Sequence, residues 1–401
     1  MAARALRWLL VAYVLSAVGV ALQRTLLSHE NNFLILRAAF EHLLAGQDLY
    51  AAYPAVHADF FKYSPTFAFL FAPFALLPLV PGYVLWALTC AVTVHASVSR
   101  LLAPREAALA LLLSWLAVVG DMQRAQSNAL CAGLIVLAWV ALERRRQVGA
   151  AAAIAVGTLI KLFPLAALAG AAFHPRKRRF GALFSLAMLL AVALPLLVVS
   201  PDSLAAQYRS WMAIEARDAA PLTGIASGGA DLYAGLMGLF RVWGGVQWPS
   251  WPTQLVGTIV LLAPIAWNRV RPRPDAFFRV QFLGSLLVFC VLFNHQAESP
   301  SYSIAIVGTA IWFAASERAW WRTALMAASF IIINLGSTDL MPRAWYRAYY
   351  VPYLLKTVPL LPVWLAMQAE LLGLIPNRGA SQVGEADERG ARAAEPLPDR
   401  G

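Results

Sequence analysis

Charged side chains are scarce in this chain of 401 residues. They make up 13% of the sequence, whereas hydrophobic residues make up 60% and the mean hydropathy is +0.63. Soluble globular domains have about 25% charged residues. The composition therefore excludes a soluble protein and predicts an integral membrane protein.

Acidic residues are scarcer still: 21 Asp and Glu stand against 32 Lys and Arg, which gives a net charge of +11. The basic surplus lies in short clusters that abut apolar segments. These clusters are Arg4/Arg7, Arg144-Arg145-Arg146, Arg176-Lys177-Arg178-Arg179, Arg269/Arg271/Arg273 and Arg318/Arg322. Such runs are too short for a nucleic-acid-binding face, so no nucleic-acid partner is expected. They instead mark cytoplasmic loops by the positive-inside rule.

Cysteine and cofactor motifs are also rare or absent. Cys90, Cys131 and Cys290 all lie in apolar stretches, without a CxxC pair or a histidine at ligand spacing. The sequence has no GxxxxGK[ST], no GxGxxG after a strand and no HExxH, the motifs of nucleotide-driven transport, a Rossmann cofactor and zinc hydrolysis. We therefore predict no metal, no cofactor and no disulfide.

Apolar runs are what the chain has in abundance. A span needs about 20 apolar residues, so residues 1–375 predict one all-α polytopic domain with about ten to thirteen transmembrane or re-entrant helices. Residues 6–27, behind Arg4 and Arg7, predict a retained first helix rather than a cleaved signal peptide. Residues 376–401 are polar and rich in Gly, Ala, Glu and Arg, which predicts a disordered cytoplasmic tail.

With Arg4 and Arg7 inside, alternate loops fall on the external face. These loops are 28–64, 121–128, 200–252, 294–299 and 337–347. Within the first loop, residues 33–44 have an apolar side formed by Phe33, Leu36, Ala39, Phe40, Leu43 and Leu44, which predicts an amphipathic helix at the membrane interface. Residues 65–78 are short and punctuated by proline, which predicts a partial dip into the membrane.

Residues 148–173 are apolar but have basic clusters at both ends. Two arrangements are open. One is a hairpin of two short helices that turns near Lys161 and Pro164, because proline breaks a helix. The other is a single span of about 39 Å with one basic cluster outside. We favour the hairpin.

Ionisable residues next to the membrane are candidates for function, because an unpaired charge there is costly. Asp59 and Lys62 lie three residues apart where the first loop enters the membrane, and a carboxylate there can act as a general base while a cation holds a phosphate. His295 and Glu298 have the same spacing, although helix caps explain them equally well. Lys161 at the hairpin turn needs an anionic partner, unless it snorkels to the interface.

Several short motifs occur in a fixed order along the chain. They are Asn31-Asn32-Phe33-Leu34, Leu43-Leu44-Ala45-Gly46-Gln47-Asp48-Leu49-Tyr50, Lys62-Tyr63-Ser64-Pro65-Thr66-Phe67-Ala68, Gln126-Ser127-Asn128-Ala129-Leu130, Ile160-Lys161-Leu162-Phe163-Pro164, Asn294-His295-Gln296-Ala297-Glu298-Ser299-Pro300 and Ser337-Thr338-Asp339. Over about residues 5–372 the ordered set resembles glycosyltransferase family 87, a group with GT-C-type architecture.

This resemblance implies a hexosyl- or mannosyltransferase that uses a polyprenyl-phosphate sugar donor. It would act on a lipid, glycan or protein acceptor at the external face of the cytoplasmic (inner) membrane. Substrate-binding residues are then expected within the motifs and the external loops: Asn32, Lys62, Tyr63, Arg124, Gln126, Asn128, Lys161, His295 and Asp339.

The catalytic acid of GT-C enzymes lies in the first external loop, and many family members have Asp where this chain has Asn32. An amide cannot be a general base, so Asp59, Glu30 or Glu298 is expected to take that role. Two other functions stay open. A lipid or solute transporter would use the same acids as a relay, but no internal repeat supports it. A catalytically silent assembly partner of the cell envelope would explain Asn32.

Overall fold

The computed structural model describes residues 1–219, 234–270, 276–338 and 340–377, and within them every regular element is a helix. The α-helices are α1 (Ala2–Leu26), α2 (Asn31–Leu44), α3 (Pro65–Leu70), α4 (Ala72–Ala75), α5 (Leu79–Leu101), α6 (Pro104–Gln123), α7 (Asn128–Glu143), α8 (Gln147–Ile160), α9 (Lys177–Ala193), α10 (Pro201–Ala219), α11 (Leu236–Gly244), α12 (Ser250–Val270), α13 (Ala276–Leu292), α14 (Tyr302–Ala315), α15 (Trp320–Ser329), α16 (Arg343–Trp345) and α17 (Leu360–Leu372). Short 3-10 segments occupy Phe163–Phe173, Leu194–Leu197 and Ser299–Ser301, and π-helical turns occupy Phe330–Leu335 and Tyr346–Tyr350.

Four helices are long and apolar enough to cross a membrane: α1, α5, α6 and the continuous segment Lys177–Leu197. Seven shorter apolar helices accompany them in the described part of the chain. The chain is therefore a multi-pass membrane protein, and the predicted all-α polytopic fold is confirmed. The predicted cytoplasmic tail falls almost entirely outside the described residues.

Residues 350–373 are long and apolar enough to predict one span, but the structure does not form one helix there. Residues 351–359 form turns, and α17 begins only at Leu360, after Pro359. Proline has no N–H to donate to a preceding turn, so it is tolerated at a helix start but not inside the long helix that hydropathy alone suggests. This difference brings a polar residue of the turn segment to the site described below.

The first predicted external loop folds against the bundle through α2. Its predicted apolar face is buried, except for Leu44, which is exposed at the end of the helix. The ring of Phe33 stacks on Tyr83 of α5 at 4.9 Å. The predicted dip is the pair of short helices α3 and α4: Ser64 caps α3 by accepting a hydrogen bond from the Phe67 N–H at 3.2 Å.

Residues 148–173 form the predicted hairpin. Helix α8 ends at Ile160, Lys161 is extended, and Phe163–Phe173 runs back along α8. The two ends meet, since the Gln147 Nε2 donates to the Pro175 carbonyl at 3.4 Å. A single span would separate these ends by the thickness of the membrane, so the alternative is excluded.

The basic clusters gather at one end of the bundle. There the His95 ring nitrogen Nε2 lies 3.0 Å from the Leu6 carbonyl, and Arg144 donates to the Arg100 carbonyl at 3.4 Å. At the same end Arg322 and Glu370 form a buried ion pair of 2.7 Å that joins α15 to α17. The loops that carry the candidate site residues lie at the opposite end.

Candidate functional site

A cavity of about 1040 Å³ opens at the end of the bundle away from the arginine clusters. Its walls come from α2, the loops before α3 and α7, the tip of the hairpin, the loop after α13 and the turns before α17. It brings together most of the predicted site residues: Asn32, Asp59, Lys62, Tyr63, Arg124, Gln126, Lys161, His295 and Glu298.

Lys161 is held at the hairpin tip by two amides. Its ammonium donates to Asn128 Oδ1 at 2.9 Å and to Gln126 Oε1 at 3.3 Å. The Tyr63 hydroxyl donates to the same Gln126 oxygen at 3.3 Å, and the Tyr63 ring lies 5.7 Å from the ammonium. Asn128, predicted to bind substrate, does not line the cavity but lies behind Lys161. A cation fixed in this way is preorganised for an anion.

A buried carboxylate lies behind Lys161 and Asn128. Asp121 is 1% exposed, and it accepts hydrogen bonds from Asn128 Nδ2 at 2.9 Å and from the Ala129 N–H at 2.8 Å. These bonds orient the Asn128 amide, so that its oxygen faces Lys161. The sequence placed Asp121 in an external loop, but the structure makes it an internal counter-charge, separated from Lys161 by one amide.

The turn at Arg124 and Ala125 connects two walls of the cavity. Ala125 has a φ of +48°, in the left-handed region, and the Asn32 Nδ2 donates to the Arg124 carbonyl at 2.8 Å. The Arg124 side chain is exposed toward the cavity. Asn32, at the position expected for the acid, therefore uses its amide to support the turn that carries a cation.

The three predicted catalytic acids differ in position. Asp59 and Glu298 are exposed at the cavity, and one oxygen of Asp59 accepts the Phe60 N–H at 2.7 Å. Glu30 precedes α2 and lies outside the cavity lining, with Oε2 buried. Asp339 lies outside the described residues. Two of the three acids thus remain as candidates for proton transfer in this cavity.

His295 is fixed by Gln254 of α12. The Gln254 Nε2 lies 3.1 Å from His295 Nδ1, and burial lowers the pKa of His295. The imidazole is therefore neutral at physiological pH, with Nδ1 accepting from the amide and Nε2–H left as a donor. The loop is pressed against Gly235, where an added Cβ would lie 2.3 Å from the Asn294 carbonyl oxygen. His295 can therefore donate a hydrogen bond without carrying charge.

Lys356 is the cation that the sequence analysis missed. It lines the cavity from the turns before α17, is buried, and donates to the Ser299 carbonyl at 2.9 Å and to the Ser299 hydroxyl at 2.7 Å. Burial, and then the positive charge of Arg124, lower the pKa of Lys356 to about 7. In the sequence Lys356 is a lone lysine within an apolar run that is long enough for a span, and a charge in such a run is a signal of function.

The cavity combines three kinds of surface. Arg124, Lys161 and Lys356 supply positive charge, and Asp59 and Glu298 supply proton acceptors. The apolar part of the wall includes Leu162, Phe163, Phe289 and Phe293. In the described part of the chain, no three His, Cys, Asp or Glu residues lie close enough to bind one metal ion. The arrangement can hold an amphipathic anion and accept a proton beside it.

Comparison with known proteins gives a match to one family. The sequence profile of glycosyltransferase family 87 matches residues 60–293. Among solved structures, ArnT from Cupriavidus metallidurans in the apo state is 16% identical, over 92% of this chain and 76% of that chain, with a TM-score of 0.38. ArnT from the same organism bound to undecaprenyl phosphate is 17% identical, over 97% of this chain and 81% of that chain, with a TM-score of 0.38. No curated protein matches the chain.

Proposed function

Since the chain belongs to glycosyltransferase family 87, we propose that it transfers a hexose, with mannose as the first candidate, from a polyprenyl-phosphate carrier to a lipid, glycan or protein acceptor. The observation that carries this proposal is the composition of the large cavity. Fixed cations, two exposed carboxylates and an apolar wall surround one space. These three surfaces match the phosphate, the acceptor hydroxyl and the prenyl chain of such a reaction.

The reaction is an inverting displacement. An acceptor hydroxyl gives its proton to a carboxylate, and its oxygen forms a bond to the anomeric carbon of the sugar. The bond between that carbon and the phosphate oxygen breaks, and the electron pair leaves with the prenyl phosphate. Lys161, Arg124 and Lys356 stabilise the negative charge that builds up on the phosphate. The neutral His295 can donate a further hydrogen bond to it.

We assign the proton transfer to Asp59, with Glu298 as the second candidate. Asp59 lies at the rim, where an acceptor enters, and the hydrogen bond from Phe60 fixes only one of its oxygens. Asn32 cannot serve, because an amide does not accept a proton at physiological pH. Support for the external face of the inner membrane comes from the arginine clusters, which lie at the other end of the bundle.

The donor class is tested with purified protein in lipid nanodiscs. Radiolabelled polyprenyl-phosphate mannose and polyprenyl-phosphate glucose are supplied in parallel with the corresponding nucleotide sugars. We expect transfer of label only from the lipid-linked sugars. Transfer from nucleotide sugars alone would overturn the donor class, and hydrolysis or transport of the donor without a glycosylated product would overturn the transferase.

The base is tested by Asp59→Asn and Glu298→Gln, with Asp202→Asn as the matched control on the exposed start of α10. Loss of a general base lowers turnover by about 10² to 10⁴-fold. We expect this loss for Asp59→Asn at an unchanged protein yield, and no loss for the control. Loss in Glu298→Gln alone would transfer the role to Glu298. Normal turnover in both variants would contradict base catalysis by Asp59 or Glu298.

Asn32 favours one second candidate, a catalytically silent protein that binds the donor without transfer. The variant Asn32→Asp separates the two. The wild-type Asn32 amide donates a hydrogen bond to the Arg124 carbonyl, and a carboxylate at this position would lose that bond and repel the carbonyl oxygen. In an enzyme that uses Asp59 as its base, we therefore expect no gain in turnover. A protein that acquires transferase activity only as Asn32→Asp would be a silent relative of the enzymes.

A further inference from the structure

A second, smaller cavity of about 460 Å³ lies at the arginine-rich end of the bundle, between the starts of α8 and α9. Its polar lining is basic and its rim is partly apolar. The lining residues used below are Arg145, Arg146, Arg176 and Arg179, together with Gly149, Val148 and Leu183. No Asp or Glu of the described ranges belongs to the lining. This cavity is separate from the candidate transferase site, which opens at the other end.

Among the residues that the structure describes, no acidic side chain pairs with the four arginines. Their guanidinium groups make no hydrogen bond or ion pair with any residue that the structure describes. The acid nearest in sequence, Glu143, is already occupied by Arg279 at 2.8 Å and by His174 at 3.5 Å. Like charges gathered around one space repel each other, and an anion in that space relieves the repulsion.

The N-termini of two helices add to the positive potential of the arginines. Helices α8 and α9 have 14 and 17 residues, and neither has a side-chain cap or an acidic residue in its first turn. The positive ends of their dipoles and their first free N–H groups therefore face the region of the arginines. An isolated helix start would be weak support, but here two of them border a cavity that already has four unpaired cations.

We propose that this cavity binds a phosphate group, carried by an anionic lipid headgroup or by a soluble phosphate. One guanidinium can donate hydrogen bonds to two phosphate oxygens at once. Binding in the cavity would therefore be more specific than the general attraction of an anion to a positive surface. Val148, which is 65% exposed, and Leu183 would lie beside the glycerol and the first acyl carbons of a lipid. Gly149 faces open space, since an added Cβ would meet no atom within 4 Å.

The binding experiment uses the full chain, purified in an uncharged detergent. Short-chain phosphatidylglycerol, phosphatidylcholine of equal chain length and inorganic phosphate are titrated separately, and native mass spectrometry and the thermal midpoint report binding. We expect phosphatidylglycerol to bind and to raise the midpoint, because a ligand specific for the folded state stabilises it. Excess inorganic phosphate should compete in the wild-type protein. Binding of inorganic phosphate alone would identify the soluble source.

Two variants separate the cavity from general surface charge. Arg145→Gln/Arg179→Gln removes two cavity arginines, and Arg4→Gln/Arg7→Gln removes the same charge from the exposed start of α1. We expect affinity to fall by about tenfold or more in the first pair and by less than about twofold in the control. Gly149→Leu keeps every arginine but fills the space, and it should also abolish binding.

Three results would overturn the proposal. They are equal loss of affinity in the two arginine pairs, full binding in Gly149→Leu, and equal binding of phosphatidylglycerol and phosphatidylcholine without competition by phosphate. The wild-type competition does not depend on any variant, so the test holds even if a substitution lowers the yield of folded protein.

Discussion

Lys161 shows how a single cation is kept available at the bottom of a cavity. Its partners Asn128 and Gln126 are neutral, and the buried carboxylate behind them, Asp121, is bound to Asn128 and to the Ala129 N–H. A direct ion pair would have used up the charge of the lysine. With an amide between acid and base, the ammonium remains free to attract a phosphate.

This arrangement gives a prediction for Lys161→Met. Asp121 keeps both of its hydrogen bonds, so the variant should accumulate normally, whereas turnover should fall by about 10² to 10³-fold, as for the loss of one group that stabilises transition-state charge. Lys161→Arg should retain only part of the wild-type turnover, because a planar guanidinium does not replace a compact ammonium. Lys177→Met, at the opposite end, is the control. A protein that fails to accumulate would show a structural role for Lys161.

Lys356 predicts a pH dependence of donor binding. With its pKa at about 7, the amine is mostly neutral at pH 8 and mostly charged at pH 6. A bound phosphate favours the charged form, so the pKa is higher in the complex and binding takes up a proton. Affinity for the lipid-linked donor should therefore increase by up to about tenfold as the pH falls from 8 to 6.

Isothermal titration at several pH values measures this dependence. The donor is a phosphodiester and does not titrate in that range, and burial lowers the pKa of His295 from its usual value of 6.5, away from the middle of the range. In Lys356→Met the profile should be flat, and affinity should stay at the weaker, high-pH level. A flat profile in the wild-type protein would contradict the role of Lys356.

Some of these residues were predictable and others were not. Lys161, Arg124, His295 and Glu298 stood out because charge beside apolar sequence is costly. Lys356 did not, because hydropathy averages over a window and hides one lysine. The burial of Asp121 was also hidden, since nothing in the sequence shows that α6 extends to Gln123 and keeps Asp121 in its buried last turn.

At the scale of the helices, α13 and α14 touch through glycines. A Cβ on Gly308 would lie 2.6 Å from the Gly284 carbonyl oxygen and 2.6 Å from the Leu287 Cβ. Small residues let two backbones approach closely, and this replaces the hydrophobic driving force that is missing between helices in lipid. The loop of His295 and Glu298 leads from α13 to α14, so the contact also positions part of the large cavity.

We predict that Gly308→Ala destabilises the protein by about 1 to 3 kcal/mol, because an extra methyl group must displace backbone atoms. Gly19→Ala in α1 is the matched control: its Cβ would meet no atom within 4 Å, so stability should be unchanged or slightly higher. Thermal unfolding in detergent measures both. Equal midpoints for the two variants would show that the bundle adjusts at no cost.

The helices and turns were predicted best where prolines or basic clusters mark their ends. Pro164 and the basic ends predicted the hairpin, and the prolines of residues 65–78 predicted the partial dip, which the structure forms as two short helices. The turns before α17 were missed because residues 350–373 have enough apolar residues for a span, and the contacts that hold the turns come from distant parts of the chain. Tyr302 of α14, for example, binds Thr357 at 2.6 Å.

At the scale of the whole molecule, the fold places the arginine clusters at one end of the bundle and the candidate site residues at the other. The positive-inside rule predicted this separation from arginine positions alone. The sequence did not show which residues line the large cavity, because the lining depends on how the helices pack and not on their order.

Labelling with a membrane-impermeant thiol reagent tests the orientation. Single cysteines at residue 55, which is exposed, and at residue 296 should react from outside the cell, whereas a cysteine at residue 146 should react only after the membrane is opened. The native Cys90, Cys131 and Cys290 are buried and supply the background control. External labelling at residue 146 would reverse the proposed orientation.

The hairpin of α8 and Phe163–Phe173 also has a consequence for how the protein is made. Its tip is a lysine whose hydrogen-bonding partners all come from residues 121–128, which leave the ribosome earlier. Alone in lipid, the hairpin would have an unpaired ammonium and would not be inserted stably. It must therefore enter the membrane against the end of α6 and the start of α7, already in place, so for this hairpin the order of synthesis is also the order of assembly.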